Sequence, residues 1–188
     1  MNKENMDSVK QKLLIILKRD AFFKQKIVLS SGKESSFYID ARLVTLTSEG
    51  AFLTASIILD LIKDSKIDAI GGPTLGADPI VGALAVLSHL DHKPLNTFIV
   101  RKAPKPHGRM QHIEGPTLQA GAKVILIDDV ATTGKSLVES IEKLKLYGIQ
   151  VLKAIVLVDR QEGAAENLAK QNCPLVSIFN SSDFLSSP

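Results

Sequence analysis

Residues 124–136 read Val-Ile-Leu-Ile-Asp-Asp-Val-Ala-Thr-Thr-Gly-Lys-Ser, an apolar run that ends on two adjacent carboxylates and then on small hydroxyl residues. A continuous run of Val, Ile and Leu is typical of a strand that is covered on both faces, as in a parallel sheet. Leu137, Ile141 and Leu144 follow at helical spacing and predict the helix of a βα unit. The stretch therefore predicts a buried strand that ends at Ile127 and presents a polar loop.

The chemistry of that loop suits a phosphorylated sugar. The helix behind it would offer unpaired backbone N–H groups and the positive end of its dipole, to which Thr132, Thr133 and Ser136 add hydroxyl groups. Asp128 and Asp129 suit sugar hydroxyls or a divalent cation next to the phosphate. We therefore expect phosphate at one end of the loop and a diol at the other.

Two other interpretations of the loop are available. Residues 134–136, Gly-Lys-Ser, also end a Walker A loop, but that motif needs a Gly where this chain has Asp129. Asp128 and Asp129 could also simply end a strand and cap a helix. Two acids directly before a Thr-Thr-Gly turn favour the sugar phosphate site.

Residues 124–136 resemble the motif with which type I phosphoribosyltransferases bind phosphoribosyl diphosphate (PRPP). The motif consists of an apolar strand, two acids and a small hydroxyl-rich loop. The resemblance implies that PRPP contacts the residues Asp128, Asp129, Val130, Ala131, Thr132, Thr133, Gly134, Lys135 and Ser136. The motif indicates the class of enzyme but does not identify the base that accepts the phosphoribosyl group.

Length and composition fit one compact domain. The chain has 188 residues, 45% of them hydrophobic, and a net charge of +3, which is too small to argue for nucleic acid by itself. A single cysteine, Cys173, excludes an internal disulfide and fits a reducing cytosol. The polar residues 1–7 show no apolar signal segment, so we expect a cytoplasmic protein without a membrane contact.

Strands and helices alternate along the chain. A helix from about Ser8, with a capping box to Gln11, to Lys18 precedes a hairpin of strands 27–29 and 37–40. Thr47 or Ser48 should cap a helix that continues to Leu61. Further strands are predicted at 68–72, 95–100, 151–158 and 175–179. The pattern predicts an α/β doubly wound parallel sheet, with an N-terminal helix and hairpin hood at about 1–46 and a core at about 47–180.

The stretch Gly71 to Pro79 forms a second candidate site loop. Glycines at the end of a strand let the backbone approach a ligand closely, and Asp78 followed by Pro79 predicts a capped helix start. An ordinary tight turn would look similar. Loops that follow different strands of one parallel sheet converge near its switch point, so we expect this loop to meet residues 128–136.

Between Arg101 and His112 the chain is basic, with no acid before Glu114. Its prolines and Gly108 disfavour helix, so we expect a mobile cationic arm. A run of charged residues usually forms a solvent-exposed surface. This run lies between a predicted strand and Gly115-Pro116 and is better explained as a lid over a site. Its charge suits a departing diphosphate. A nucleic-acid groove is the rival, although the arm lacks aromatic residues for stacking.

Four further segments resemble the orotate phosphoribosyltransferases. They are the hairpin 31–42, the loop 71–79, the basic run 101–108 and the segment 158–163. The resemblance implies transfer of phosphoribose from PRPP to orotate with Mg²⁺, in pyrimidine biosynthesis. It also implies a homodimer in which the basic arm of one subunit closes over the PRPP of the other.

The resemblance assigns roles to individual residues. Lys105 and His107 would stabilise or protonate the diphosphate, with Asp128 and Asp129 as the other catalytic residues. Arg101 and Lys102 would bind PRPP. Phe37, Tyr38, Thr132 and Arg160 would bind orotate, Arg160 through the carboxylate. Mg²⁺ would be bound mainly by substrate, near Asp128 and Asp129.

The chain departs from many members of that family at two places. Ser30 stands where many have Lys, and Leu75-Gly76 stands where many have Tyr-Lys. We therefore expect the backbone N–H groups of Leu75, Gly76 and Ala77 to contact the diphosphate instead. The rival functions are a purine or uracil phosphoribosyltransferase and a PRPP-sensing regulator that binds nucleic acid through a basic N-terminal helix.

Overall fold

A six-stranded sheet lies at the centre of this computed structural model, which describes residues 3–25, 27–28, 34–105 and 112–185. The helices of these residues are α1 (Lys3–Asp20), α2 (Arg42–Thr45), α3 (Ser48–Ile62), α4 (Asp78–Leu90), α5 (Lys135–Lys145), α6 (Ala164–Ala169) and α7 (Ser181–Leu185). The strands are β1 (Phe22–Phe23), β2 (Ile27–Val28), β3 (Glu34–Ser35), β4 (Tyr38–Ile39), β5 (Ala69–Pro73), β6 (Asn96–Val100), β7 (Ile113–Glu114), β8 (Lys123–Ala131), β9 (Gln150–Asp159) and β10 (Leu175–Asn180). None of the described helices is long and apolar enough to cross a membrane.

The order of the strands confirms the predicted doubly wound sheet. Across the sheet they run β10-β9-β8-β5-β6-β7, all parallel except β7, which is antiparallel to β6. After β5 the chain moves outward to β6, whereas after β8 it moves the other way to β9 and β10. The order therefore reverses between the neighbours β5 and β8, and the loops that follow them start side by side at the switch point.

Successive residues of β8 contribute to opposite faces of the sheet. Ile125 and Ile127 belong to a cluster with residues of α1, α3 and α4, while Val124 and Leu126 belong to a second cluster with residues of α5 and α6. All four side chains are fully buried. Helices on both faces explain why the sequence of this strand is apolar without alternation.

The N-terminal helix starts earlier than the sequence indicates. α1 begins at Lys3, so Ser8 lies inside the helix and the predicted capping box to Gln11 is wrong. Met6 and Val9 pack against the same cluster as the buried Leu13 and Leu17. Because the apolar face extends through Met6, the helix gains packing by continuing toward its N-terminus.

The hood consists of two small antiparallel ladders instead of one hairpin. β2 pairs with β3, while β4 pairs with β1, placing Phe22 opposite Ile39 and Phe23 opposite Tyr38. The prediction that residues 27–29 pair with 37–40 is therefore wrong, because β1 was not recognised in the sequence. Ser30 and the Ser-Gly-Lys that follows it lie outside the described residues.

Two boundaries near the site also differ from the prediction. β8 does not end at Ile127 but continues to Ala131, because its ladder with β9 pairs Asp128 with Val156 and Ala131 with Asp159. Asp78 is not the cap of α4 but its first residue. Thr47, in contrast, caps α3 as predicted, since its hydroxyl oxygen accepts from the Gly50 N–H at 3.1 Å.

Candidate active site

The loop after β5 touches the two acids at the end of β8. A Cβ atom on Gly76 would lie 2.3 Å from Oδ1 of Asp128 and 2.3 Å from Oδ1 of Asp129. Any side chain there would displace the loop or the carboxyl groups, which gives a physical reason for glycine at this point of the loop. The two predicted site loops therefore meet: the backbone at Gly76 contacts the carboxylates of Asp128 and Asp129.

Asp128 and Asp129 form a pair of neighbouring carboxyl groups, the first buried and the second half-buried. Asp128 is 6% exposed; its Oδ1 accepts from the Asp129 N–H at 3.0 Å and its Oδ2 from the Ser136 hydroxyl at 2.8 Å. Burial raises the pKa of Asp128 well above its usual range, and the neighbouring Asp129 carboxylate raises it further. Burial also raises the pKa of Asp129, against a lowering effect of the nearby Arg42. Hydroxyl donors or a cation would stabilise the charged forms of both groups.

The turn after β8 has the form of an anion site. Gly134 has a φ of 71°, and a Cβ atom on it would lie 3.3 Å from Cα of Ala164. The carbonyl of Thr133 accepts from the Asn167 amide at 2.9 Å, so the loop is fixed from α6. The N-cap of α5 is Gly134, which has no side chain to cap the helix, and the first N–H groups of α5 lack helical partners and can bind an anion.

The hydroxyl groups of this loop divide into two sets. Thr132 and Thr133 are half-buried beside the start of α5. The Ser136 hydroxyl instead donates its hydrogen to Asp128, so in this state it orients the acid. Its predicted contact with phosphate, like those of Thr132 and Thr133, stays a prediction.

The residues around Asp128 and Asp129 fit a divalent cation. Carboxylate oxygens are the protein ligands that Mg²⁺ prefers, and this ion usually keeps several waters. Within the described residues no group of three or more His, Cys, Asp or Glu side chains could hold a metal. The buried Asp128 and the half-buried Asp129 supply carboxylate oxygens of the kind that Mg²⁺ prefers.

Arg160 lies one strand away, where β9 ends. Its backbone N–H donates to the carbonyl of Ala131 at 2.9 Å, which places it beside Thr132. The side chain is 4% exposed, and its guanidinium lies 4.4 Å from the ring centroid of Phe37. Nε donates to Glu162 at 2.9 Å, and Nη2 donates to the carbonyl of Phe37 at 3.4 Å.

The structure brings three of the four residues predicted to bind orotate close together and leaves Tyr38 apart. Arg160 joins Phe37 of the hood to the end of β8, next to Thr132. Tyr38 points to the other face of its strand, because neighbouring strand residues alternate. Its ring stacks on that of Phe23 at a centroid distance of 6.4 Å.

The described part of the cationic arm is its root. Arg101 donates from its backbone N–H to the carbonyl of His112 at 2.9 Å, which extends the ladder between β6 and β7. Lys105 and Arg101 both pair with Glu114, and Lys102 is exposed. Within the described residues, no contact of Lys105 with Asp128 or Asp129 is found. His107 lies outside the described part of the chain.

Sequence reasoning missed an ion pair next to the acids. Arg42 Nε lies 2.9 Å from Oδ1 of Asp40, and its Nη2 lies 3.0 Å from Oδ2, a bidentate arrangement. The side-chain hydrogen bond from Arg42 lowers the pKa of Asp40. The sequence does contain a sign of this ion pair, because Asp40 and Arg42 carry opposite charges and lie two residues apart at the end of a hood strand.

The sheet, the paired acids and the anion loop define a phosphoribosyltransferase. A family model described as "Phosphoribosyl transferase domain" matches residues 45–180, which include both site loops and Arg160.

More specific similarities come from individual proteins. The orotate phosphoribosyltransferase of Aquifex aeolicus is 43% identical over 157 residues, 84% of this chain and 85% of that protein. That of Synechocystis sp. is 42% identical over 175 residues, covering 93% and 88%. The crystal structure of the Mycobacterium tuberculosis H37Rv orotate phosphoribosyltransferase in complex with PRPP superposes with a TM-score of 0.78 at 28% identity, over 95% of this chain and 99% of that one. The chain belongs to the orotate phosphoribosyltransferase family.

Proposed function

We propose that this enzyme transfers the phosphoribosyl group of PRPP to orotate, giving orotidine 5′-monophosphate and diphosphate in de novo pyrimidine biosynthesis. The observation that carries the proposal is the contact of the Gly76 backbone with the carboxyl groups of Asp128 and Asp129. This contact brings a narrow backbone loop against two acids, of which Asp128 is hydrogen-bonded to Ser136 in the first turn of α5. That arrangement suits diphosphate, ribose hydroxyls and 5′-phosphate in this order.

The residues of the chain orient the substrate and balance its charge. The loop 132–134 and the first turn of α5 would bind the 5′-phosphate, and Asp128 and Asp129 would accept from the ribose hydroxyls. Backbone N–H groups of Leu75 and Gly76 would bind the diphosphate, whereas the N–H of Ala77, also predicted to do so, already donates to the carbonyl of Pro73 at 3.2 Å. Displacement at the anomeric carbon passes through an oxocarbenium-like state, so positioning and charge stabilisation account for the catalysis. Mg²⁺, when bound, supplies positive charge to the diphosphate and ribose oxygens.

Arg160 supports orotate over other bases. Its planar guanidinium suits a carboxylate, which it can take in two parallel hydrogen bonds. A buried arginine next to the end of β8 lies where the acceptor base must approach the ribose. Uracil and the purine bases have no carboxylate for it to bind.

The regulator that binds nucleic acid would use the basic side chains of the N-terminal helix, which have partners within the chain. Lys12 pairs with Glu49, Arg19 pairs with Asp20, and the Lys10 ammonium lies 5.4 Å from the ring centroid of Phe179. These basic side chains are already engaged within the chain. The Lys12 and Arg19 side chains are 60% and 68% exposed, so the rival function is tested by nucleic-acid binding, which the regulator requires and the enzyme does not.

A panel of acceptor bases tests the proposal. The protein is incubated with PRPP and Mg²⁺ and separately with orotate, uracil, adenine or hypoxanthine, and the nucleotide product is identified by mass. We expect orotidine 5′-monophosphate from orotate and little product from the other bases. A purine nucleotide or uridine monophosphate as the main product would contradict the assignment of Arg160 and of orotate.

Asp129→Asn tests the role of the acids. A hydrogen bond with a charged group contributes about 1.5–3 kcal/mol, so kcat/KM for PRPP should fall by about tenfold to a hundredfold while the fold is retained. Asp60→Asn, on an exposed face of α3 where Asp60 pairs with Lys63, is the matched control and should leave the kinetics unchanged. Unaltered PRPP kinetics in Asp129→Asn would remove the acids from the ribose site.

We further propose that the enzyme is a homodimer in which the arm 101–112 acts on the site of the partner. The root of the arm lies on β6 and β7, at the edge of the sheet. An extended chain reaches about 3.3 Å per residue, so an arm of this length can span to a neighbouring subunit. Repulsion among its cations would favour closure only over a polyanion such as diphosphate.

Mixed dimers test this arrangement. Lys105→Ala and Asp129→Asn, each nearly inactive alone, are unfolded and refolded together, and subunit exchange is confirmed by mass. Activity should return toward about one half of the sites in mixed dimers, because twofold symmetry leaves one site with both groups intact. If the subunits mix and no activity returns, the arm serves its own subunit.

We also propose that the chain is one domain that works in the cytoplasm. Residues of the hood, such as Phe37 and Ile39, share a cluster with Ile125 and Ile155 of the central sheet. Burial raises the pKa of Cys173 to about 11, so this thiol stays protonated and is structural.

A further inference from the structure

One carboxylate at the root of the arm binds two of its cations. Glu114 Oε1 lies 2.8 Å from Nη1 of Arg101, and Glu114 Oε2 lies 2.5 Å from Nζ of Lys105. The carboxylate belongs to β7, where Glu114 is opposite Ile99 of β6. Both cations are among those expected to neutralise the diphosphate, so Glu114 holds the partners that this anion would need.

The backbone beneath these cations is fixed independently of Glu114. Lys143 of α5 donates to the carbonyl of Arg101 at 2.9 Å and to that of Lys102 at 3.1 Å. The Arg101 N–H is bound to the carbonyl of His112. The side chains of Arg101 and Lys105 can therefore change partner while the root of the arm keeps its position.

The ion pairs of Glu114 are weak enough to be exchanged. The side chains of Arg101, Lys105 and Glu114 are 40%, 30% and 41% exposed, and ion pairs at such sites contribute little because water screens them. A diphosphate carries more negative charge than one carboxylate and attracts the same two cations more strongly. The exchange therefore favours the diphosphate when PRPP arrives.

We propose that Glu114 is a positioning residue that holds Arg101 and Lys105 together as their counter-ion and releases both to diphosphate. The identity of the anion rests on the proposed function. Glu114 then competes with PRPP and with the product diphosphate alike. It weakens the binding of both and favours release of the product.

Glu114→Gln tests this competition directly. Inorganic diphosphate is titrated calorimetrically into the wild type and the variant in the presence of Mg²⁺, and KM is measured for each substrate. We expect the Kd for diphosphate and the KM for PRPP to fall about twofold to tenfold, the range for two exposed ion pairs. The KM for orotate should stay constant, since orotate does not meet these cations.

Matched variants separate competition from a structural effect. Glu49→Gln removes the same charge from another exposed ion pair, with Lys12, and should leave diphosphate binding unchanged. Glu114→Asp keeps the charge and should behave like the wild type. In a Lys105→Met background the effect of Glu114→Gln should shrink, because coupled residues are not additive.

Several results would overturn the inference. They are an unchanged or weaker diphosphate affinity in Glu114→Gln, an equal change in KM for both substrates, or the same gain in Glu49→Gln. Diphosphate titration does not depend on turnover of orotate. If the wild type fails to convert orotate, the proposed function fails, while the exchange at Glu114 is still decided by the titration.

Discussion

Gly76→Ala is expected to lower kcat/KM for PRPP by about a hundredfold or more, since a displacement of about 1 Å at a site can cost that much. The new Cβ atom would lie 2.3 Å from Oδ1 of both Asp128 and Asp129, which is closer than such atoms can approach. Either the loop after β5 or the carboxyl groups must therefore move. Both belong to the expected PRPP site, so the loss should appear for PRPP first.

Gly82→Ala is the matched control for this substitution. Gly82 lies inside α4, and a Cβ atom on it would meet nothing within 4 Å. Alanine in a helix interior stabilises a protein by about 0.5–1 kcal/mol relative to glycine. This variant should therefore keep its activity and unfold at a slightly higher temperature. A Gly76→Ala enzyme that retains normal PRPP kinetics would show that the loop after β5 is not part of the site.

Arg160→Ala should raise the KM for orotate by about tenfold to a hundredfold, the effect of losing hydrogen bonds between charged groups worth about 1.5–3 kcal/mol. The KM for PRPP should change far less, because only orotate offers a carboxylate. Arg160 also holds Phe37 of the hood, so the stability of the variant is measured by thermal unfolding alongside the kinetics.

Arg160→Lys separates the charge from the shape of this side chain. Lysine keeps the positive charge but cannot bind a carboxylate through a planar fork, so the KM for orotate should rise here too, while the unfolding temperature falls less than in Arg160→Ala. Equal losses for orotate and PRPP in both variants would mean that Arg160 is structural.

The parts of the fold that depend on local pattern were predictable. Val124 to Ile127 indicated a strand buried on both faces, and the structure places these residues alternately in two clusters. Leu137, Ile141 and Leu144 indicated a helix and are buried on α5. The convergence of the two site loops followed from the parallel order of the strands, which local periodicity already suggested.

The parts that depend on a distant partner were not predictable in detail. β8 continues through Asp129 only because β9 provides a ladder for it. Asp78 suggested a helix cap, yet its Oδ2 accepts from the Thr74 hydroxyl at 2.8 Å and it lies within the helix. The exclusion of side chains at Gly76 depends on carboxylates more than fifty positions away, which nothing in the local sequence reveals.

The charge pairing of the cationic arm was likewise not predictable from its local sequence. Its sequence predicted a run of free positive charges, whereas Glu114 pairs with two of them and Lys143 fixes the backbone. Sequence reasoning noted Glu114 only as the end of the basic run. The register between β6 and β7, which brings Glu114 back beside Arg101, was needed to recognise its role.

Transfer of phosphoribose to orotate is measured directly as the loss of orotate absorbance in the presence of pure protein, PRPP and Mg²⁺. We predict that absorbance falls only when all three are present and that one diphosphate is released for each orotate consumed. If the folded protein binds PRPP but leaves orotate unchanged under these conditions, orotate is not its acceptor.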